Sequence, residues 1–216
     1  MIDKYRFMVV DDHPIFRHGV IALIQSEPRY VVVAEVGTVP EAIEALTREI
    51  PDMALIDLSL GGQSGLDLLR IFRDQYPTVR TLIVSIHDEA VYADRALKAG
   101  ARGYLMKQAA ATVLKDAVRT ILAGKIWVSP QFQNRLLEAY CQPRPESDRS
   151  LVSLLTDREI EVLEYLGQGY GAKEIAGRMN LSVKTIGVHQ DHIKKKLMVE
   201  SAADLRRFAI NWMGNL

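Results

Sequence analysis

The chain has 216 residues, 48% hydrophobic and 25% charged, which suits a folded protein of one large or two modest domains and excludes a low-complexity or disordered one. Its 27 basic and 27 acidic residues cancel, so a surface for nucleic acid has to be local. The single cysteine, Cys141, excludes an internal disulfide and fits a reducing, cytoplasmic setting; the N-terminal apolar stretch is too short for a signal peptide, and no run nears the roughly 20 apolar residues of a membrane span.

From residue 6 to about 123, apolar runs at Phe7 to Val10, Val31 to Val36, Met53 to Ile56, Leu82 to Ile86 and Tyr104 to Met106 read as five strands. Between them lie segments with 3.6-residue apolar spacing, such as Leu66, Leu68, Leu69 and Phe72, or Val113, Ala117, Val118 and Ile121. Strands that are apolar throughout, rather than alternating, are covered on both faces. The expected fold is therefore α/β, a doubly wound five-stranded parallel sheet. After Gly124 the pattern changes: a short helix is expected from Gln131 to Tyr140, then a polar, proline-bearing linker from Gln142 to Ser150. The remainder is helical. Thr156-Asp157-Arg158-Glu159 is a capping box opening a helix through Leu166, and Lys173 to Met179 forms a second. Ser182 caps a third to about Met198, and Ser201 a fourth to about Met213. The close second and third helices form a helix-turn-helix candidate, so an all-α four-helix module is expected to follow the sheet. The expected domains are 1–123, a connecting stretch over 124–150, and 151–216.

Ligands of doubly wound folds bind beyond the carboxyl ends of the strands. Asp11 and Asp12 end the first predicted strand, Asp57 the third, Ser85 the fourth and Lys107 the fifth. Three converging carboxylates repel one another unless a cation sits among them, and an all-oxygen cluster with room for water suits Mg²⁺. Lys107 and Ser85 are suited to a further anionic group, and a phosphoryl group carried by one carboxylate satisfies both.

Val9-Val10-Asp11-Asp12-His13, Leu55-Ile56-Asp57-Leu58-Ser59-Leu60, Val84-Ser85-Ile86-His87 and Gly103-Tyr104-Leu105-Met106-Lys107 together resemble a receiver domain. The resemblance implies that Asp57 accepts phosphate from a sensor histidine kinase. It implies Mg²⁺ held by Asp12, Asp57 and the Ser59 carbonyl, with Asp11 assisting through water, and Ser85 and Tyr104 as a switch pair. Two departures from the family pattern, Gln108 after Lys107 and Leu60-Gly61-Gly62 after the phosphosite, leave the chemistry untouched. His87 is expected to be an exposed loop histidine. An enzyme is the first alternative. Haloacid-dehalogenase-like phosphatases resemble Asp-x-Asp-x-Thr, whereas Ser59 stands two residues after Asp57. Gly62-Gln63-Ser64-Gly65 misses the G-x-S-x-G elbow, and no phosphate-binding G-x-x-x-x-G-K-[ST] occurs. The reading is a regulator and not an enzyme.

Residues 173–196 carry six basic side chains (Lys173, Arg178, Lys184, Lys194, Lys195, Lys196) against Glu174 and Asp191, a local charge of plus four that suits a phosphate backbone. Leu155-Thr156-Asp157-Arg158-Glu159-Ile160, Lys173-Glu174-Ile175-Ala176 and Leu181-Ser182-Val183-Lys184-Thr185-Ile186-Gly187-Val188-His189 are similar to LuxR-type DNA-binding domains. Receiver plus this domain resembles the NarL/FixJ class of transcription regulators. That class implies a recognition helix in the major groove of double-stranded DNA and a homodimer when phosphorylated. The expected DNA-facing residues are Lys184, Thr185, Gly187, Val188, His189, Asp191, Lys194 and Lys195, while Ile175, Ala176, Ile186, Ile193 and Leu197 read as core. Gly187 and Asp191 stand where the family often has longer or basic residues, so a protein-interaction regulator with a decayed DNA surface is the second alternative.

Overall fold

The structure, a computed structural model, describes residues 4–109, 111–141 and 151–214. The chain divides into two compact units, Met1–Glu138 and Ala139–Leu216.

The first unit is built on β1 (Tyr5–Val10), β2 (Tyr30–Val36), β3 (Met53–Ile56), β6 (Arg80–Ser85) and β7 (Gly103–Met106), a five-stranded sheet in the order β2-β1-β3-β6-β7 with every pair parallel. Helices α1 (Pro14–Gln25), α2 (Val39–Arg48), α3 (Gly65–Gln75) and α4 (Glu89–Ala99) are the crossovers, and α5 (Ala111–Leu122) follows the last strand. Alternation along the strands divides the apolar residues between two cores. Phe7, Val9, Met53, Leu55, Leu82, Val84 and Leu105 pack against Val20 and Ile24 of α1 and Leu114, Ala117, Val118 and Ile121 of α5. Their neighbours Met8, Val10, Ala54, Ile56 and Ile83 are buried on the opposite face, where right-handed crossovers put α2, α3 and α4.

Two short strands, β4 (Ser59–Leu60) and β5 (Gln63–Ser64), form an antiparallel hairpin right after Asp57. Gly61 and Gly62 have φ of 56° and 90°, the positive values that a two-residue hairpin of this kind requires. The glycine pair is thus a tight turn that folds the chain back beside Asp57 before α3 begins. A second addition lies at the sheet edge. The Trp127 carbonyl accepts from Tyr104 N–H at 3.1 Å and the Trp127 N–H donates to the Arg102 carbonyl at 3.0 Å. Val128 and Phe132 are buried, and Ser129 N–H donates to Glu89 Oε1 at 2.8 Å. Residues 127–132, expected within the connecting stretch, therefore belong to the first unit. They lead into α6 (Pro130–Cys141), one residue longer at each end than the expected helix. The expected linker Gln142 to Ser150 lies outside the described residues.

The second unit holds a 3₁₀ turn (Leu151–Leu154) and helices α7 (Asp157–Gly167), α8 (Ala172–Met179), α9 (Val183–Leu197) and α10 (Ala202–Met213). Its helix starts lie where the sequence puts them. Thr156 and Glu159 complete a reciprocal capping box on α7, Ser182 Oγ accepts from Thr185 N–H at 3.0 Å, and Ser201 Oγ from Asp204 N–H at 3.1 Å. Ile175, Ala176, Ile186, Ile193 and Leu197, the expected core, are all buried and pack α7, α8 and α9 together.

Candidate functional site

The carboxyl ends of β1, β3, β6 and β7 bring Asp11, Asp57, Ser85 and Lys107 to one edge of the sheet. Asp11 and Asp57 are almost fully buried, and Lys107 Nζ stands 2.7 Å from Asp11 Oδ2 and 2.7 Å from Asp57 Oδ2. The Phe16 ring, 4.4 Å from Nζ, supports the ammonium from α1. Burial pushes the Asp57 carboxyl above the ordinary range, against the opposing pull of Lys107. Two buried carboxylates share one ammonium, a negatively charged site in a poorly solvated place.

Asp12 lies at the rim. Its Oδ2 accepts from Gly61 N–H at 2.8 Å, so the glycine hairpin fixes its orientation. Its Oδ1 is buried and has no hydrogen-bond partner. It faces His13 Nδ1 at 2.7 Å, and the all-oxygen donor set of Asp11, Asp12 and Asp57 fits Mg²⁺ chemistry. The ligand atoms of Asp11, Asp12, His13 and Asp57 all lie within 4.8 Å of one another. Ser59 starts β4, and its N–H donates weakly to Asp57 Oδ1 at 3.5 Å.

Ser85 and Tyr104 are fully buried and meet through the backbone of His87. His87 N–H donates to Ser85 Oγ at 3.3 Å, and the Tyr104 hydroxyl donates to the His87 carbonyl at 2.9 Å. The imidazole is not the exposed loop group expected from sequence. It is half-buried, its Nε2 lies 3.1 Å from Ser59 Oγ, and its ring stacks 4.9 Å from that of Tyr92. Sequence carried no signal for this bond, which spans 28 positions.

Two further residues carry no such signal in the sequence. Gly65, the first residue of α3, lies so close to the Asp57 backbone that a Cβ there would stand 2.0 Å from its carbonyl oxygen. Arg17 Nη1 donates to the Asp11 carbonyl at 2.5 Å, holding the β1 end from α1.

In the second unit, Val183, Lys184, Val188, Asp191 and Lys195 lie on the exposed face of α9, while Thr185, Gly187, His189 and Lys194 are half-buried. Lys184 and Lys195 form no ion pair among the described residues, whereas Lys194 Nζ pairs with Asp191 Oδ1 at 3.0 Å. Lys196 is half-buried and already paired: its Nζ donates to the buried Glu159 Oε2 at 2.6 Å, so the charge counted from sequence overstates what can reach a phosphate. Arg178 stacks on Tyr170, 4.1 Å from the ring centroid. Burial pushes the His189 pKa down.

A parallel α/β sheet with this acidic, lysine-containing edge, followed by a helix-turn-helix, defines a signal-receiving module coupled to a DNA-binding one. The chain matches the response regulator receiver domain over residues 7–119 and the luxR family of bacterial regulatory proteins over residues 153–209, and it belongs to the response regulators that combine them. It is 36% identical over 205 residues to the transcriptional activator protein ExaE of Pseudomonas putida, covering 94% of each chain. It is likewise 36% identical over 197 residues to the nitrate/nitrite response regulator protein NarP of Escherichia coli K12, covering 91% of this chain and 90% of that one. Among solved structures, a LuxR-family two-component response regulator from Aurantimonas sp. SI85-9A1 aligns with TM-score 0.60 and 36% identity over 65% of this chain and all of that one. RcsB of Salmonella enterica serovar Typhimurium, solved on the promoter P1flhDC with the phosphomimetic BeF₃⁻, aligns with TM-score 0.59 and 25% identity over 95% of this chain and 98% of that one. The family is one of DNA-binding transcription regulators, not enzymes, which sets aside the phosphatase alternative. Among the described residues, no helix is long and apolar enough to cross a membrane.

Proposed function

We propose that this response regulator is a cytoplasmic transcription factor switched by phosphorylation of Asp57 by a sensor histidine kinase. The observation that carries the reading is the paired 2.7 Å approach of Lys107 Nζ to Asp11 and Asp57 on a buried strand end. An Asp57 carboxylate oxygen attacks the phosphorus of the donor's phosphohistidine, the N–P bond breaks, and the imidazole leaves with the electron pair. Lys107 then has a phosphoryl oxygen to neutralise, and the Ser85 hydroxyl a new acceptor. Asp12, Asp57 and the Ser59 carbonyl would hold Mg²⁺, with Asp11 acting through water; the ion would offset the charge of the carboxylates and of the arriving group.

Moving Ser85 Oγ toward a phosphoryl group competes with its bond from His87 N–H, and the His87 carbonyl carries the Tyr104 hydroxyl. Ser85 and Tyr104 thereby act as one switch, which biases two states of the receiver and favours a homodimer. In the second unit, α9 enters the major groove of double-stranded DNA. Lys184, Thr185 and Lys195 contact phosphates, and Gly187, Val188, His189, Asp191 and Lys194 face the bases and the groove wall. The binding of RcsB to promoter DNA in its complex supports a DNA-binding role for this unit. The phosphoacceptor module lies within residues 1–123 and the DNA-binding module within 151–216.

The test is intact-mass measurement after incubation with a small phosphodonor and Mg²⁺. One added phosphoryl group on the natural chain and none on Asp57→Asn is expected. Equal labelling of Asp57→Asn would remove the assignment.

A further inference from the structure

We propose that Asp191 is a base-reading residue of α9 and that it selects cytosine in the major groove. The inference rests on the reading that α9 enters that groove, and it concerns which base the helix prefers there.

At roughly 100° per residue, the buried Ile186, Ile193 and Leu197 of α9 fall within about 20° of one direction, the side packed on the core of the second unit. Lys184, Val188, Asp191 and Lys195 fall within about 40° of the opposite direction, and all four are exposed. This stripe runs roughly 16 Å along the helix axis, more than the roughly 12 Å width of a major groove. Its lysines stand at the two ends, where phosphates flank a groove. Val188 and Asp191 stand between them, over the base edges, and only Asp191 offers a polar group there.

The carboxylate is prepared to accept. Lys194 Nζ pairs with Asp191 Oδ1 at 3.0 Å, and this hydrogen bond holds the carboxyl below the ordinary range. Asp191 is therefore ionised at neutral pH and accepts hydrogen bonds without donating any. Side chains of a helix lean toward its N-terminus, so Asp191 leans toward position 187, one turn earlier. Gly187 puts no side chain in its way, and the space there is open: an added Cβ would meet nothing within 4 Å.

An ionised carboxylate tells the bases apart by their major-groove edges. Guanine presents two acceptors, thymine an acceptor and a methyl group, and adenine a donor beside the N7 acceptor. Cytosine alone presents a donor and no acceptor. The same charge repels phosphates wherever no such donor is met, so it favours selection over affinity. A charge-assisted hydrogen bond of this kind changes affinity by about tenfold or more.

The full chain, with beryllofluoride and Mg²⁺, selects duplexes from a random pool, beside Asp191→Ala and Asp191→Asn, exposed changes that leave the buried side of α9 untouched. The natural chain should enrich cytosine at a position where Asp191→Ala loses the preference. Asp191→Asn should enrich adenine at that position, because adenine N6 and N7 suit a side-chain amide. On the selected duplex, exchanging that C·G pair for T·A should weaken the natural chain by about tenfold or more, and Asp191→Ala by less than about twofold. The same sequences selected by all three chains would show that Asp191 reads no base. A preference for another base lost in Asp191→Ala would overturn the cytosine assignment. Both of these results leave α9 in the groove. No enriched sequence from the natural chain overturns the proposal, and if Lys184→Ala also binds random duplex as tightly as the natural chain, the reading of α9 falls with it.

Discussion

Replacing Gly65 with alanine should damage the Asp57 site more than replacing Gly61 of the adjoining hairpin. A Cβ at position 65 would stand 2.0 Å from the Asp57 carbonyl oxygen, 2.9 Å from its carbon and 3.0 Å from Leu58 Cα, all backbone atoms that cannot swing aside. Restoring an ordinary 3.4 Å contact requires a retreat of about 1.4 Å, the difference between 3.4 and 2.0. The 2.7 Å bond from Gly65 N–H to the Leu58 carbonyl cannot survive that retreat. Its loss costs about 1 kcal/mol, and the overpacking about 1–3 kcal/mol more. Gly61→Ala is the control: its φ of 56° strains a side chain by about 1–2 kcal/mol, but nothing lies within 4 Å of its Cβ. Thermal melts of the full chain should show the first unit losing roughly 10 °C in Gly65→Ala and clearly less in Gly61→Ala. Labelling of Asp57 by a small phosphodonor should slow in the same order. Equal melts and equal labelling for the two variants would refute the close approach of α3 to the phosphosite.

Other substitutions read out other parts. Gly187→Ala should stabilise the second unit by about 1 kcal/mol in a melt, because α9 gains a better helix former where the added methyl meets nothing within 4 Å. Lys196→Met should destabilise that unit by about 1–3 kcal/mol, measured by urea unfolding, because it leaves the buried Glu159 carboxylate without its ammonium partner. Asp57→Asn, compared with the natural chain in chelator from acid to neutral pH, should gain in relative stability as pH rises. Asp57 is pushed above its unfolded value, so the folded site binds more protons and its contribution is lost as pH climbs through the shifted value. Lys184→Ala should weaken binding to random duplex and lower the salt slope by about one contact, whereas Asp191→Ala should strengthen binding by releasing Lys194; fluorescence titrations over several salt concentrations check both.

The five long strands were legible because a sheet covered on both faces demands unbroken apolar runs, and the helix starts because Thr156, Ser182 and Ser201 cap through local bonds. Asp11, Asp57, Ser85 and Lys107 were legible because a doubly wound sheet sends every strand end to one edge. The features that escaped depend on contacts between distant segments. The β4–β5 strands are two residues each, too short for any period, although Gly61-Gly62 is itself a hairpin signal. Trp127 joins the sheet edge by a single bridge and packs its ring on the core, too short a stretch to show a strand period. Lys196 and Lys195 read identically in sequence, and only the packing of α7 against α9 sends one to Glu159 and the other to solvent.

The central claim, that a phosphoryl group on Asp57 sets the DNA affinity of the second unit, is tested most directly by one titration. Duplexes selected from a random pool by the full chain are titrated with the natural chain and with Asp57→Asn, each with and without beryllofluoride and Mg²⁺. The account predicts that beryllofluoride raises affinity and shifts the natural chain toward a dimer, with no response in Asp57→Asn. Equal affinity in all four conditions, or a response that survives in Asp57→Asn, would contradict it.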